Sequence, residues 1–246
     1  MLTGITQNRD QLRKRVHRFL HSPAHARSEV LETLVRLNRF GRVIVFGGAV
    51  RDLAIHGNRE FPSDIDVVVE TTEVEALASC MSGMSANRNR FGGYRFSTAK
   101  WRFDVWRLED TWALREGHVS GHTAEALLGT TFFDWDAIAY DFSNRQLLFL
   151  DGYFERLQNG IVDINLEPNP NPAGSAKRAL DIYRHGVAAL APRLAAYVAT
   201  AARAWIDGSH FEHTREEISG MQAYLDDFDS SDGQPVRRRV EQLRLA

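Results

Sequence analysis

Asp64 and Asp66 stand two positions apart and lead into an apolar run at residues 67–69. Because side chains alternate along a β-strand, both carboxylates are expected on one face, with their Cα atoms roughly 6.5 to 7 Å apart, while Ile65 points into the core. Converging carboxylates can hold divalent cations. Transfer of a nucleotide to a hydroxyl uses two such ions, one on the attacking oxygen and one on the triphosphate and leaving oxygen. The spacing therefore predicts Asp64 and Asp66 as catalytic residues that bind two Mg²⁺ ions.

Gly47 and Gly48 follow an apolar segment at residues 42–46 that is typical of a buried strand, and they precede an expected helix at 49–56. Glycines in this position leave bare backbone N–H groups at a helix N-terminus, where a triphosphate can bind. A Cβ there would hold the phosphates off. Gly47 and Gly48 are therefore predicted to bind nucleotide, and an ordinary tight turn is the alternative.

The two segments together, GGAVRDLAIHG at 47–57 and DID at 64–66, resemble the DNA polymerase beta superfamily of nucleotidyltransferases. They are most similar to the head domain of tRNA CCA-adding enzymes and bacterial poly(A) polymerases, whose pattern is GGxVRDxxxG followed by DxD. The resemblance implies attack of an acceptor hydroxyl on the α-phosphorus of an NTP, with release of pyrophosphate. It also implies that Arg51 binds the triphosphate or holds the loop through Asp52 or Asp64. A glycine turn beside a solvated acidic strand end is the alternative.

Asp104 lies in the middle of an expected strand at 101–108, where apolar residues alternate with polar ones. The superfamily resemblance implies a third catalytic, metal-binding carboxylate on a strand beside the DxD strand, and Asp104 is the candidate. The alternative is a surface aspartate paired with Arg102 or Lys100, which would contribute little to stability.

The segment FFDWDAIAY at 132–140 resembles the next motif of CCA-adding heads, RRDFTxNAxAY. It departs from that motif at residues 130–132, where the family has two arginines and an aspartate. It departs again at Asp136, where the family has a nucleotide-contacting asparagine. The resemblance implies a nucleotide contact for Asp136 through a ribose hydroxyl. A helix N-cap or a salt bridge is the alternative role for Asp134 or Asp136.

A proline and asparagine cluster at 168–172 is the best candidate for a domain boundary. Beyond it a helix is expected at 177–190, in the place of the family's neck helix. The position implies that Lys177 or Arg178 reaches the triphosphate, so Arg178 is a predicted nucleotide-binding residue. A solvated helix start is the alternative.

The order of the elements favours an α+β fold, with a small mixed β-sheet forming a nucleotidyltransferase head backed by helices and a helical C-terminal extension. Ser28 is the expected N-cap of the second helix. The expected domains are an N-terminal helix at 1–24, the head at 25–166 and a neck-like extension at 173–246. Further elements are expected as helices at 9–20, 28–39, 73–80, 194–207 and 216–227, strands at 64–70, 94–97 and 146–150, and a short strand and loop at 151–164.

Composition excludes several classes of protein. With 43% hydrophobic and 25% charged residues among 246, the chain is expected to be globular with a sizeable core. No apolar run approaches the ~20 residues of a membrane span, and the N-terminus lacks a secretory signal, so a cytoplasmic location without a membrane partner is expected. The single Cys80 excludes an internal disulfide and a cysteine-cluster zinc site. The histidines lack metal-ligand spacing, apart from the closely spaced His210 and His213.

Basic residues are clustered although the net charge is −2. The stretch at 88–107 interleaves arginines with aromatic residues, a composition that can stack bases and hold phosphates. A hairpin with one solvated basic face is the alternative. The other two basic stretches are 9–18 and 237–239.

These patterns predict an enzyme that uses an NTP and two Mg²⁺ ions to transfer NMP to an RNA acceptor, with a tRNA 3′ end favoured. Two alternatives stay open from the sequence. One is transfer to a protein or small molecule, as by toxin-like relatives. The other is a non-catalytic head that acts as a binding or antitoxin-like module. The oligomeric state is not predicted.

Overall fold

The computed structural model describes residues 4–57, 64–89, 91–208 and 214–238. Within them the chain divides into two compact units: a larger one over 4–158 and 165–168, and a smaller one over 159–164 and 169–238. The larger unit contains a seven-stranded sheet with helices, and the smaller unit is mainly helical. The predicted α+β fold with a mixed sheet is confirmed.

The elements up to residue 159 supply all seven strands of that sheet. The helices are α1 (Arg9–Leu20), α2 (Arg27–Leu37), α3 (Gly48–His56), α4 (Val74–Gly83), α5 (Trp112–Arg115) and α6 (Tyr153–Asn159), and the strands are β1 (Arg42–Phe46), β2 (Ile65–Glu70), β3 (Asn87–Arg88), β4 (Tyr94–Ser97), β5 (Arg102–Arg107), β6 (Ile138–Asp141) and β7 (Gln146–Phe149). Short 3-10 helices add Ala24–Ala26, Leu108–Asp110, Ala124–Gly129 and Asp134–Asp136.

The strand order is β3-β4-β5-β2-β1-β6-β7. β2 and β5 are parallel, and the other neighbours are antiparallel. The central strands β1, β2 and β6 are buried on both faces, which explains the unbroken apolar run in β2. On one face Ile44 and Val68 join a cluster with the segment 108–128. On the other face Val45 and Ile65 meet residues of α1 and α3.

α1 packs along α3 through an apolar stripe at helical spacing, formed by Leu12, Val16, Phe19 and Leu20. Arg15 fixes the contact: its Nη1 donates to the carbonyls of Leu53 and Ala54, both at 3.0 Å. Carbonyls in the last turn of a helix have no partner within the helix. One cation of α1 therefore caps the end of α3 and has a structural role.

The smaller unit consists of α7 (Pro172–Arg184), α8 (Pro192–Asp207), α9 (Arg215–Asp229) and a parallel pair of short strands, β8 (Ile161–Val162) and β9 (Ala189–Leu190). α9 begins with a capping box between Thr214 and Glu217, a signal that satisfies two N–H groups at a helix start. The Tyr224 hydroxyl donates to the Ala195 carbonyl at 2.7 Å and ties α9 to α8.

Three local predictions were wrong. Ser28 does not cap α2, because the helix begins at Arg27 after Ala26, whose φ of 54° places it in the left-handed region. The predicted helix at 177–190 begins earlier and ends earlier: Asn171 caps it by accepting from the Gly174 N–H, and residues 189–190 form β9. The expected strand and loop at 151–164 do contain a short strand, β8, but helix α6 precedes it and was not expected.

None of the described helices is both long enough and apolar enough to cross a membrane. Cys80 in α4 is a free thiol, and burial raises the pKa of that thiol. His210 and His213 lie outside the described residues, as does Arg239 of the third basic stretch.

Candidate active site

The predicted carboxylates meet near the start of β2. In the parallel register, Asp66 lies directly opposite Asp104, and on its other side it lies opposite Phe46, the last residue of β1. Asp64 precedes Asp66 by two positions, so strand alternation points it to the same face. The glycine turn at residue 47 follows Phe46 at once. The fold therefore brings the three carboxylates and the glycine turn to one region of the sheet.

Two arginines form bidentate pairs with two of these carboxylates. Arg102 donates to both oxygens of Asp64 at 2.8 and 2.7 Å, and Arg95 donates to both oxygens of Asp104 at 2.8 and 2.7 Å. These hydrogen bonds raise the pKa of both guanidinium groups. The Arg95 and Arg102 side chains are 60% and 66% exposed, so water screens both pairs and they contribute little to stability. We name them the site pairs.

The partner of Asp104 differs from the one that the sequence alternative named. Asp104 is buried and pairs with Arg95, whereas the sequence alternative proposed Arg102 or Lys100. Sequence reasoning missed this partner although a signal existed. Counting back from the tight turn at 98–101 makes Arg95 the residue opposite Asp104 on the neighbouring antiparallel strand, as the structure shows. Opposite charges at directly facing positions attract.

The donor set suits Mg²⁺, which prefers hard oxygen ligands such as carboxylates. Asp66 and Asp104 have the register that such a site needs, with Asp64 on the same face. In the described part of the chain, however, no three His, Cys, Asp or Glu side chains are grouped to hold a metal ion. The side chains of Asp64 and Asp104 are turned to their arginines. Donor type and backbone position fit a metal site, and the exposed arginines are the groups that an ion would displace.

Gly47 adopts φ 66° and ψ −126°, a conformation that only glycine adopts without strain. Its N–H donates to the Ile138 carbonyl at 2.9 Å, and its carbonyl accepts from Arg51 N at 3.0 Å. The N–H of Gly47 is therefore used by the fold, which differs from its expected exposure to phosphate. Gly48 is the first residue of α3, where backbone N–H groups have no partner within the helix. Its role in phosphate binding stays a prediction.

Arg51 joins α3 to the 3-10 helix at 134–136. It donates to Oδ1 of Asp52 from Nε at 2.9 Å and from Nη2 at 2.7 Å, and it donates from Nη1 to Asp136. Burial opposes the charge on Arg51, but Asp136 and Asp52 outweigh this and raise the pKa of the guanidinium. Of the two roles predicted for Arg51, the geometry shows loop support through Asp52. For Asp136 it shows the salt bridge, and the ribose contact stays a prediction.

Tyr153 of α6 binds the same 3-10 helix at 134–136. Its side chain is buried, its hydroxyl donates to the Trp135 carbonyl at 2.9 Å, and burial raises the pKa of that hydroxyl. Asp134 lies 3.5 Å from Arg156, so it too takes part in a salt bridge. Neither Tyr153 nor Arg156 was predicted, because nothing in the local pattern shows that α6 packs against this segment.

Arg178 lies in the middle of α7, in the smaller unit. Its predicted contact with the triphosphate stays a prediction.

Family models and curated protein sequences give no match to this chain. Solved structures do. A CCA-adding enzyme in complex with CTP is 18% identical, with a TM-score of 0.54, and the alignment covers 88% of this chain and 50% of that one. An apo form of a CCA-adding enzyme is 16% identical, with a TM-score of 0.57 and coverage of 91% and 57%. The Bacillus stearothermophilus CCA-adding enzyme with CTP is 18% identical, with a TM-score of 0.50 and coverage of 80% and 48%.

The chain thus spans about half the length of these solved structures. At such identities the similarity is one of fold. The resemblance to CCA-adding heads, which the glycine and DID motifs predicted, is confirmed at that level: the chain has a fold like that of a nucleotidyltransferase head.

Proposed function

We propose that the chain is a nucleotidyltransferase that moves NMP from an NTP to an acceptor hydroxyl, and that the acceptor is RNA, with a tRNA 3′ end favoured. The observation that carries the proposal is the register of Asp66 opposite Asp104, with Asp64 on the same face. The fold similarity to CCA-adding enzymes, some of them solved with CTP or ATP, supports it.

In the proposed reaction the acceptor oxygen forms a bond to the α-phosphorus, and the bond from that phosphorus to the β-phosphate oxygen breaks. Pyrophosphate leaves, and the hydroxyl proton passes to solvent or to a carboxylate. Asp64, Asp66 and Asp104 would hold two Mg²⁺ ions, which when bound activate the hydroxyl and neutralise the triphosphate. Asp104 would lie beside the acceptor, and the Gly48 N–H at the start of α3 would bind a phosphate oxygen.

The site pairs have a place in this proposal. Arg95 neutralises the charge of Asp104, and Arg102 neutralises that of Asp64. If those carboxylates held cations instead, both guanidinium groups would be available to the phosphates of the NTP and of the RNA backbone. Guanidinium groups are well suited to phosphate, because their paired N–H groups match two oxygens.

The test is to incubate the purified protein with Mg²⁺ and each α-labelled NTP in turn, together with total RNA and total cell protein. We expect label in RNA. Asp64→Ala Asp66→Ala should abolish it, whereas Asp110→Ala should retain it, because Asp110 is also paired with an arginine, Arg107, but beyond the end of β5. Label in protein alone would refute the RNA acceptor and leave the transferase standing.

A second candidate is a head that binds nucleotide or RNA without transfer. The observation in its favour is that two of the three carboxylates face arginines and that the described residues contain no three-ligand group. Absence of label with every NTP, with NTP binding retained, would support this candidate and refute the transferase.

A further inference from the structure

A second charged surface lies on the larger unit, away from the carboxylates. An open groove of about 470 Å³ runs between α1 and the turn that joins β6 to β7. We name it the α1 groove; it is lined by Arg13, Lys14, His17, Arg18, Tyr140 and Arg145. The proposed transfer reaction makes no use of it.

The cations of the groove form one stripe of α1. Positions 13 and 14 lie one turn before positions 17 and 18, at the spacings of three and four residues that make side chains neighbours on a helix surface, and all four side chains are exposed. They lie beside the buried stripe of α1, so the helix cannot turn them away from solvent. Arg145 faces them from the turn after β6, where it holds a φ of 57°. Four arginine and lysine side chains thus surround one concave surface.

Acidic residues do little to neutralise this surface. Among the described residues, one cation of the groove makes an ion pair: Arg13 Nη2 lies 3.6 Å from Asp10 Oδ1, and both side chains are more than half exposed. Tyr140 forms the floor. Burial raises the pKa of its hydroxyl, the charge of Asp141 acts in the same direction, and the charges of Arg145 and Arg13 act in the opposite direction. Since Asp141 is itself paired with Arg42, two cations of the groove act on the residue at its base.

The groove and the carboxylates lie on opposite faces of the sheet. Tyr140 pairs with Val45, and Val45 pairs with Val67, whereas Asp66 lies one position away and points to the other face. A molecule in the groove therefore does not contact the reacting phosphorus.

We propose that the α1 groove binds the sugar-phosphate backbone of the acceptor RNA, at a distance from its reacting 3′ end. The inference rests on the proposed function for the identity of the RNA as acceptor, although the groove is independent of the carboxylates. Side chains four residues apart on a helix are about 6 Å apart along its axis, a separation that suits successive phosphates of one strand. Exposed lysine and arginine side chains of this kind bind phosphates without reading sequence.

An anionic membrane would also be attracted by positive charge, but the groove lacks what a membrane surface adds. Membrane-bound helices insert large apolar side chains beside their cations. Among the described residues the exposed large apolar side chains are Val35, Val74, Leu150 and Ile218, and none of them lines the groove. RNA is therefore the favoured partner.

The test compares two double variants of the full chain with equal loss of charge. Lys14→Ala Arg18→Ala removes two cations from the groove, and alanine favours the helix, so α1 is retained. Arg36→Ala Arg39→Ala removes two exposed cations near the end of α2, outside the groove. Binding of a fluorescent RNA hairpin with a single-stranded 3′ end is measured by anisotropy from 50 to 200 mM KCl.

We expect the groove variant to bind RNA about tenfold more weakly, with a slope of log affinity against log salt that is smaller by about 1.4 to 1.8, since each phosphate contact contributes ~0.7 on a single strand and ~0.9 on a duplex. The α2 control should match the parent. An unchanged slope in the groove variant, or equal losses in both variants, would overturn the proposal. So would loss of binding to phosphatidylserine vesicles without loss of RNA binding, which would assign the groove to membranes.

A further variant distinguishes failure of the groove proposal from failure of the proposed function. In the Asp64→Ala Asp66→Ala background, which should transfer nothing, adding Lys14→Ala Arg18→Ala should lower the RNA affinity and the salt slope by as much as it does in the parent. If the parent labels RNA but the groove variant binds RNA as the parent does, the groove proposal fails and the transferase stands. If salt-sensitive binding depends on the groove but no NTP is ever incorporated, the groove stands as an RNA site and the transferase fails.

Discussion

Arginine-aspartate pairs occur in two settings in the larger unit, and they differ in exposure. In the site pairs, the guanidinium groups of Arg95 and Arg102 are more than half exposed. In the interior, Arg51 holds Asp136 and Asp52 with 17% of its side chain exposed. Arg42 is 29% exposed and holds Asp141, whose side chain is 1% exposed. The site pairs use both carboxylate oxygens, whereas Arg51 and Arg42 each donate two N–H groups to a single oxygen of Asp52 and Asp141. The same pair of residue types can therefore serve exchange in one place and architecture in the other.

Burial accounts for this difference. An exposed pair is screened by water, so a metal ion or a phosphate can replace one partner at small cost. A buried pair cannot lose a partner without leaving an uncompensated charge in the interior, which costs far more than the pair itself contributes. Because their arginine partners are exposed, we expect Asp64 and Asp104 to exchange those partners for an ion, whereas Asp136 and Asp141 should keep theirs.

The largest effect on nucleotide transfer is expected at Asp66, which lies in β2 between β1 and β5. Asp66→Asn keeps the volume of the side chain and removes its charge, so nucleotide transfer should fall by about 10²- to 10³-fold, the usual loss for one electrostatic contact to a transition state. Initial rates with labelled NTP and RNA measure it. The urea midpoint shows whether the variant is folded under the assay conditions, and a rate within twofold of the parent's would remove Asp66 from the catalytic set.

The second largest effect is expected on stability, at the buried pair of Arg51 and Asp136. Asp136→Asn leaves the Arg51 charge inside the protein with less compensation, which should lower the free energy of unfolding by about 3 kcal/mol. Urea denaturation followed by tryptophan fluorescence measures it. Asp110→Asn is the control, because its pair with Arg107 is more exposed. A small stability loss with a large rise in KM for NTP would instead assign Asp136 to the ribose contact.

Low pH should remove the stability that the pair of Arg42 and Asp141 contributes. Burial of Asp141 opposes its charge, but hydrogen bonds from Asn144 and Arg42 outweigh burial and hold the pKa of Asp141 below its ordinary value. A depressed pKa in the folded state stabilises the protein above the unfolded pKa of about 3.9. That stability is lost as pH falls through the folded value.

Asp141→Asn should accordingly lower the free energy of unfolding by about 2 kcal/mol at pH 7. The difference between variant and parent should narrow below pH 4. Urea midpoints at pH 7, 5, 4 and 3 give the comparison. A difference that stays constant over this range would show that the charge of Asp141 is not what stabilises the fold.

The smallest effect is expected at an exposed site pair. Arg102→Gln should leave the urea midpoint unchanged and lower the Mg²⁺ concentration for half-maximal transfer a few-fold, since a competitor for Asp64 is removed. Arg107→Gln, which alters a pair away from the carboxylates, should change neither quantity. A clear loss of stability in Arg102→Gln would break the distinction between the two kinds of pair.

Much of the larger unit could be predicted from local patterns. β1, α3, β2 and β5 lie within a residue or so of their expected bounds, because each is a short apolar or amphipathic segment limited by glycine or polar residues. Asp104 was expected beside Asp66 through the family resemblance, and the parallel register agrees with that position. The errors at Ser28 and at 177–190 arose where turn geometry and an asparagine cap decided the helix bounds.

The partners of the charged residues could not be predicted in the same way. Arg51 binds Asp136 across 85 positions, and Arg42 binds Asp141 across 99, so no periodicity in the sequence links them. The α1 groove is a similar case. A basic stretch at 9–18 was visible, but only the packing of α1 showed that Arg15 caps α3 and that its neighbours face Arg145.

The sequence by itself determined the DID carboxylates, the glycine turn and the mixed sheet, because strand alternation and the backbone freedom of glycine act over a few residues. The tertiary structure decided which arginines are buried and which are exposed, and which face of the sheet each charge occupies. Those properties depend on segments far apart in the chain, since burial and charge pairing are set by whatever packs against a residue.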